Sequence, residues 1–401
     1  MSVDLRTRVD AAQEPVEAGV FFRDVLPPLL DAHRDAIAPG ARDLPLKDFT
    51  IETDGEPWTL AWRADRVAVS SGGGGAARAR LTPEQLTDLV NDQTTPVAFM
   101  SSGTLDMPEG ALPDFLNWWL VLRAALDGRR IHARGDVRLE TEVPRSFTPD
   151  DSDEDMRAFL EEAGYLHVRG LFGRDEMAAV AADYPVAAPH FEKGDPRAWF
   201  ATTKDGTEHL VRMEGFDRHS AAASALVEDE RLLRIARIPG LAHELRNRAG
   251  ARVGALTKPI GVVKGISDVP WHKDCSLGRH SYECCSLTVG ISVTGADADS
   301  GQLRVVPGSH RALIWPAPCL QPGLDLPPLD LPTATGDVTV HLSCTLHMSQ
   351  PPVRRTRKVL YTGFAQRPVD AAAAEAQRRK LNTLRGKTHT TVSQEPGYLG
   401  D

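Results

Sequence analysis

The sequence predicts an α+β protein of two domains, the first a sheet layered with helices and the second rich in strands with helices packed outside. Three observations carry that prediction. Residues 49–69 alternate apolar and polar side chains around turn signals, and a strongly apolar helical pattern follows at 115–122. A polar stretch containing Pro144, Pro149 and the acidic run 150–155 then interrupts the pattern. From about Gly254 onward, alternating strands carry imidazole and carboxylate groups together. These features place a first domain at 1–140, an acidic linker at 141–155 and a second domain at 156–401.

Element by element, residues 16–37 read as a helix, with Val20, Phe21, Val25, Leu29 and Leu30 at helical spacing and Pro27-Pro28 as a kink. Phe49–Thr53 and Trp58–Trp62 flank Asp54-Gly55, a strong hairpin signal, and Arg66–Val69 extends the meander. Residues 70–75 form a loop. Its four glycines are not a phosphate-binding loop, because no Gly-Lys-Ser/Thr follows. Thr82-Pro83-Glu84-Gln85 starts a helix, with Thr82 as N-cap and Pro83 at the first helical position. Val97–Met100 is expected as a strand and Phe115–Leu122 as an apolar closing helix. In the second domain the pattern predicts a helix from Met156 stopped by Gly164, a strand, and a helix over 174–182. Further helices are expected over 221–237 and 241–248, before the strands from Gly254.

Bulk properties exclude several classes. A net charge of −9 gives no basic field for nucleic acid. No apolar run reaches the length of a membrane span, and Met1–Arg6 lacks a signal-peptide layout, so a cytoplasmic location is expected. The five cysteines, with no Cys-x-x-Cys pair, suit reduced thiols, and Cys284-Cys285 is expected to pack as small apolar side chains in a strand. Hydrolase motifs fail. His243-Glu244-Leu245-Arg246-Asn247 lacks the second His of a zinc-protease helix, and no Gly-x-Ser-x-Gly elbow exists.

The chemistry concentrates between Trp271 and Arg357. Residues two apart on a strand share a face, so His272 and Asp274 can grip one metal ion. The spacing alone is weak, since 13 His and 55 acidic residues in 401 predict about two His-x-acid triplets by chance, and three occur. Context separates them. His33-Arg34-Asp35 lies in a helical pattern, where positions i and i+2 diverge, and His190-Phe191-Glu192 precedes a turn with no partner downstream. Only His272-Lys273-Asp274 is followed by alternating strands, a Pro-Gly turn, more histidines and the basic cluster Arg354-Arg355-Thr356-Arg357. Two His and one carboxylate on one side of a metal form the facial triad of non-haem Fe(II) oxygenases. His347 is the candidate third ligand and His341, expected in the same strand, its rival. Trp271 and Lys273 should point away from the metal, His310 should be structural, and Lys258 is expected at the surface.

Two resemblances sharpen this reading. The order of helix, meander, helix, strand and apolar helix, with Leu81-Thr82-Pro83-Glu84-Gln85-Leu86, resembles sterol-carrier-protein-like domains over residues 16–130. It implies a five-stranded sheet layered with helices around an apolar tunnel. The second domain resembles the phytanoyl-CoA dioxygenase family of Fe(II)/2-oxoglutarate oxygenases. The matching pieces are Phe159–Leu171, Lys258-Pro259, Val269-Pro270-Trp271-His272-Lys273-Asp274, Gly301–His310, and Gly336-Asp337-Val338 leading to His347-Met348-Ser349 and Arg357. They imply a double-stranded β-helix (a cupin-like jelly roll), with Fe(II) on His272, Asp274 and His347. They also imply that Ser349 and Arg357 hold the far carboxylate of the cosubstrate 2-oxoglutarate, with O2 as oxidant. The family arginine usually lies eleven residues after the distal histidine, where this chain has Lys358, so Arg357 is aligned across a one-residue deletion. Where halogenating members carry a small residue this chain has Asp274, which implies oxygen rather than halogen chemistry.

The expected function is hydroxylation, or another oxidation, of an unactivated C–H bond in a small organic substrate of apolar character. The abundance of Arg, Ala, Gly and Pro suggests a GC-rich bacterial genome and a biosynthetic tailoring step. The competing reading is an apolar-ligand carrier with a degenerate oxygenase domain. Of the roles open to the first domain, a rigid wall against the second is favoured over a lipid pocket.

Overall fold

The computed structural model describes residues 14–247, 250–265, 269–278, 284, 286–368, 370–376 and 378–379. Among them the strands make three sheets. The first contains β1 (Phe49–Thr53), β2 (Glu56–Arg63), β3 (Arg66–Ser71), β4 (Ala77–Leu81) and β5 (Asp106–Glu109), in the order β3-β2-β1-β4-β5 with β1 parallel to β4. Asp54 and Gly55 both take positive φ, the backbone of a two-residue turn whose twist matches the flanking strands. Thr82 caps its helix as the sequence predicts: its side chain accepts from Gln85 N while Gln85 returns a bond to the Thr82 backbone.

Helix Leu112–Asp127 covers this sheet. Its Phe115, Leu116, Trp118 and Trp119 are fully buried, and Phe49 stacks on Phe115 with centroids 5.3 Å apart. The N-terminal helical stretch runs from Ala18 to Ala41 with a π-turn at Phe21–Val25, directly before Pro27 and Pro28, and a break at His33. Prolines without N–H groups cannot sustain the regular ladder there. One strand is overturned. Val97–Met100 lies in helix Pro96–Ser101, where Pro96 opens the first turn and Val97, Ala98 and Phe99 are all buried. A short, wholly buried apolar run carries no period to separate the two states.

The second part holds β6 (Tyr165–Val168), β7 (Ala198–Thr203), β8 (Glu208–Glu214), β9 (His243–Leu245), β10 (Gly254–Lys258), β11 (Val262–Lys264), β12 (Val269–His272), β13 (Leu287–Ser292), β14 (Leu303–Val305), β15 (Leu329–Leu331), β16 (Val338–Leu342), β17 (His347–Ser349) and β18 (Arg357–Gln366). A large sheet runs β11-β7-β8-β10-β18-β13-β16-β6 with β9 on β18, and a small one runs β12-β17-β14-β15. This two-sheet arrangement, with helices outside, agrees with the jelly-roll expectation. The predicted helix over 241–248 is instead β9, paired with Phe364–Gln366, and its last residue lies outside the described set. The helical stretch 221–237 breaks at Asp229, which caps the second helix as Ser220 caps the first. Cys284 is buried as expected, whereas Cys285 lies outside the described residues.

The acidic run does not behave as free linker. Ser152 caps helix Asp153–Ala163, and Asp153, Glu154 and Asp155 occupy its first turn, where the helix dipole favours negative charge. The two parts also share a core, since Leu313 and Trp315 pack into the cluster built by residues 21–131. Trp315 Nε1 donates to Asn117 Oδ1 at 3.0 Å, and Asp325 accepts from His132 Nε2 and Gly135 N, each at 2.7 Å. Among the described residues no helix is long and apolar enough to cross a membrane.

Candidate metal centre

His272 ends β12, and its register partner across the small sheet is His347, the first residue of β17. Asp274 lies in the turn after β12, so it reaches its neighbours from beyond the strand rather than along it. The three side chains converge: one ligand atom from each of His272, Asp274 and His347 lies within 4.8 Å of the others. Asp274 Oδ1 is 3.5 Å from His272 Nε2 and 3.7 Å from His347 Nε2.

The donor chemistry fits a divalent iron. His272 Nδ1–H donates to Pro270 O at 2.8 Å and His347 Nδ1–H to Thr345 O at 2.9 Å. A proton committed at Nδ1 leaves the Nε2 lone pair facing the shared point, and these carbonyls orient the rings. Burial, then the neighbouring His341 and His272, holds His347 well below the ordinary histidine range, so it stays neutral. Burial works to raise the Asp274 pKa, but His272, His341 and His347 keep it well below the usual carboxylate range. A neutral His347 imidazole and an Asp274 carboxylate anion result. His272 and Asp274 are partly open whereas His347 is buried, so the shared point can be reached from one side.

His341, expected in the strand of His347, is not there. It lies on β16 in the large sheet, yet its ring centroid sits 3.9 Å from that of His347. Sequence distance failed here because the chain crosses between sheets over residues 343–346. Trp271 packs with Val306, Ala312 and Ile314, away from the shared point, and buried Lys273 reaches Ser309 O.

Ser349 follows His347 on β17, two residues on and therefore on the same face. Arg357 is buried at the start of β18, where Nη1 donates to Gly301 O at 2.5 Å, Nη2 lies 3.4 Å from Tyr361 Oη and Nε has no partner. Arg354 and Arg355 are exposed and pair with Asp299 and Asp297. Lys258 corrects the expectation of a surface lysine. It is 2% exposed, stands opposite Arg357 in register, and its Nζ donates to Ser349 Oγ and Gln350 O, both at 2.7 Å. It shares one face of β10 with Gly254, also buried, and half-buried Leu256. Thr288, whose Oγ1 donates to Asp274 Oδ2 at 2.5 Å, left no sequence signal at all.

His310 is buried away from these groups, with Nε2 3.0 Å from Glu161 O and Nδ1 against Gly164, where an added Cβ would come within 2.4 Å. Burial pushes its pKa down to about 3. Because the unfolded chain takes up this proton near pH 6.5, stability should fall as the pH drops from about 6.5 toward 3, by roughly 3 kcal/mol at pH 4. Urea titrations of the wild type and His310→Gln should therefore show the wild type's advantage at pH 7 shrinking by about that amount at pH 4. An advantage unchanged with pH would mean that His310 is not held neutral.

Residues 160–356 match the model of the phytanoyl-CoA dioxygenase (PhyH) family. Among solved structures, the chain is similar to AviO1 from Streptomyces viridochromogenes Tue57, at 19% identity over 53% of this chain and 95% of that one, with a TM-score of 0.42. It is also similar to the epimerase SnoN in complex with Fe3+, alpha ketoglutarate and nogalamycin RO, at 18% identity over 55% and 88% with a TM-score of 0.42. A third similar structure is EctD from S. alaskensis with bound Fe, at 19% identity over 58% and 82%, again with a TM-score of 0.42. No curated protein matches the chain. Given that family match and the intact His-Asp-His triad, the C-terminal part of this chain is an Fe(II)- and 2-oxoglutarate-dependent oxygenase of the phytanoyl-CoA dioxygenase family.

Proposed function

We propose that the enzyme oxidises an unactivated C–H bond of a small organic substrate, with iron held by His272, Asp274 and His347 and 2-oxoglutarate held by Ser349, Arg357 and Lys258. The observation that carries this is the placement of His347 and Ser349 on one face of β17, with buried Lys258 bonded to the serine and buried Arg357 opposite that lysine in register. Two residues along a strand advance about 6.6 Å, roughly the reach of a five-carbon dicarboxylate. One carboxylate and the keto oxygen can then meet the metal while the other carboxylate meets the cations. Iron with 2-oxoglutarate and O2 supplies the oxidising power, and the cosubstrate leaves as succinate and CO2. Ser349 donates to the far carboxylate, and Arg357 neutralises it with a planar fork of donors. Lys258 adds a second positive charge and holds the Ser349 hydroxyl in place. A biosynthetic tailoring step on a part-apolar intermediate is the setting we propose.

The same reading extends to the first domain. We read residues 1–140 as a sterol-carrier-like domain used as a wall rather than a lipid pocket. Its five-stranded sheet under helices supports the likeness, and the shared core at Leu313 and Trp315 supports the wall.

The purified chain with Fe(II), ascorbate and 2-oxoglutarate should release succinate when given its substrate. Arg357→Ala should raise the Michaelis constant for 2-oxoglutarate about 30-fold or more, because stranding a buried charge costs roughly 2–5 kcal/mol. Metal affinity should survive. Arg355→Ala should change that constant by less than about fivefold, as expected for an exposed pair. A larger effect at Arg355 would show that the one-residue deletion is misplaced, and wild type unable to bind 2-oxoglutarate would end the proposal.

A further inference from the structure

His341 is the buried polar side chain that the triad leaves unused. It is 2% exposed, and neither of its ring nitrogens has a hydrogen-bond partner. An unsatisfied buried polar group costs about 1–3 kcal/mol, so a histidine is a poor choice for mere filling at this position. Its surroundings are specific. His341 stands opposite Thr288 in the β13–β16 register, and its ring lies against that of His347 at an interplanar angle of 44°. Its Nε2 is 3.4 Å from Asp274 Oδ2, the oxygen that already accepts from Thr288 Oγ1. The two carboxylate oxygens of Asp274 are thus divided between partners. Oδ1 faces the Nε2 atoms of His272 and His347, while Oδ2 faces Thr288 and His341.

We propose that His341 is a positioning residue for the iron centre: together with Thr288 it holds Asp274 Oδ2, so that the carboxylate presents only Oδ1 to the metal. The proposal rests on the assignment of His272, Asp274 and His347 as the ligands. A carboxylate free to rotate can bind through both oxygens and fill a coordination position that cosubstrate or O2 requires. Thr288 supplies one donor from the neighbouring strand, and His341 Nε2–H supplies the other. Its separation of 3.4 Å is slightly long, and a ring movement of about 0.4 Å brings it to ordinary hydrogen-bond length. The His341 ring also backs His347 and so limits the swing of a second ligand.

The test uses the full chain, stripped of metal and titrated with Co(II), whose visible spectrum reports coordination without turnover. His341→Phe keeps a ring against His347 but removes the donor, and should weaken Co(II) binding about 10- to 100-fold, the usual effect of losing an outer partner of a ligand. Its spectrum should shift as the Asp274 carboxylate becomes bidentate, and Thr288→Val should shift it in the same direction. His341→Gln, which restores an N–H near the Nε2 position, should recover affinity and spectrum. Nitrogen couplings in Cu(II) electron paramagnetic resonance should count two imidazoles in both the wild type and His341→Phe. Wild-type affinity and spectrum in His341→Phe would reduce the residue to core packing and overturn the proposal. Three imidazoles in the wild type and two in the variant would make His341 a ligand, which overturns it as well. If His341→Phe does not fold, Thr288→Val decides the matter by the same readings. Undiminished Co(II) binding by His272→Ala would instead sink the ligand assignment itself.

Discussion

Residues 141–401 expressed alone should unfold more than 10 °C below the full chain, or fail to accumulate in folded form, and should bind iron weakly. Truncation uncovers Leu313 and Trp315, each 2% exposed in the full chain, and strips their partners from the first domain. Burying a large apolar side chain contributes about 1.5–3 kcal/mol, and each lost hydrogen bond another ~1 kcal/mol. The broken bonds include Asn117 to Trp315 and those from His132 and Gly135 to Asp325. The combined loss, roughly 5–10 kcal/mol, rivals the whole stability of a typical domain. Metal binding suffers through a separate route. Thr95 Oγ1 donates to the carbonyl of Ser276, two residues past Asp274, and Leu277 packs on the N-terminal core. Adding the separate N-terminal piece at low concentration should not restore turnover. A fragment with full-length melting temperature, iron affinity and activity would make the first domain a passenger.

Asp274→Ala should abolish succinate formation and weaken Fe(II) binding by about 10²- to 10⁴-fold, since removing one partner of a buried charged set costs roughly 3–5 kcal/mol. The loss is compound. The variant lacks the one carboxylate of the proposed ligand set and also strands the Thr288 hydroxyl, which donates to Oδ2 at 2.5 Å. His272→Ala should lose activity equally but leave the Asp274–Thr288 bond in place. Calorimetric titration with Fe(II) under argon, alongside succinate release in air, separates the two consequences. If both variants kept iron and succinate formation, the metal would lie elsewhere.

What the sequence made legible is governed by how local each signal is. The Asp54-Gly55 turn and the Thr82 N-cap are each decided within four residues, and the structure has both. The convergence of His272, Asp274 and His347 was accessible through motif order, although the geometry that carries it is not the one expected. Asp274 sits in a turn, and His341 approaches from another sheet. Strand β4 escaped notice because its inward face is Ala77, Ala79 and Leu81, small side chains with weak strand preference, and its outward arginines read as loop. Arg78 finds Glu52 on β1 at 3.0 Å, a partner 26 residues away. The burial of Lys258 has a related cause. A lysine is rarely buried unless charged or polar partners wait for it, and here those partners are Ser349 at the end of β17 and Gln350 just after it, more than ninety residues downstream.

Strand β17 is only three residues long, held between β12 and β14. With iron on His347 and 2-oxoglutarate on Ser349, one rigid element carries both binding events, and neither side chain can shift without moving the other. The two affinities are therefore thermodynamically linked. Whatever factor iron adds to cosubstrate affinity, cosubstrate must add to iron affinity. On that assignment, metal bound first would favour the dicarboxylate, and a bound dicarboxylate would favour the metal. At low iron, the cellular supply of 2-oxoglutarate would thus set how much of this enzyme stays loaded.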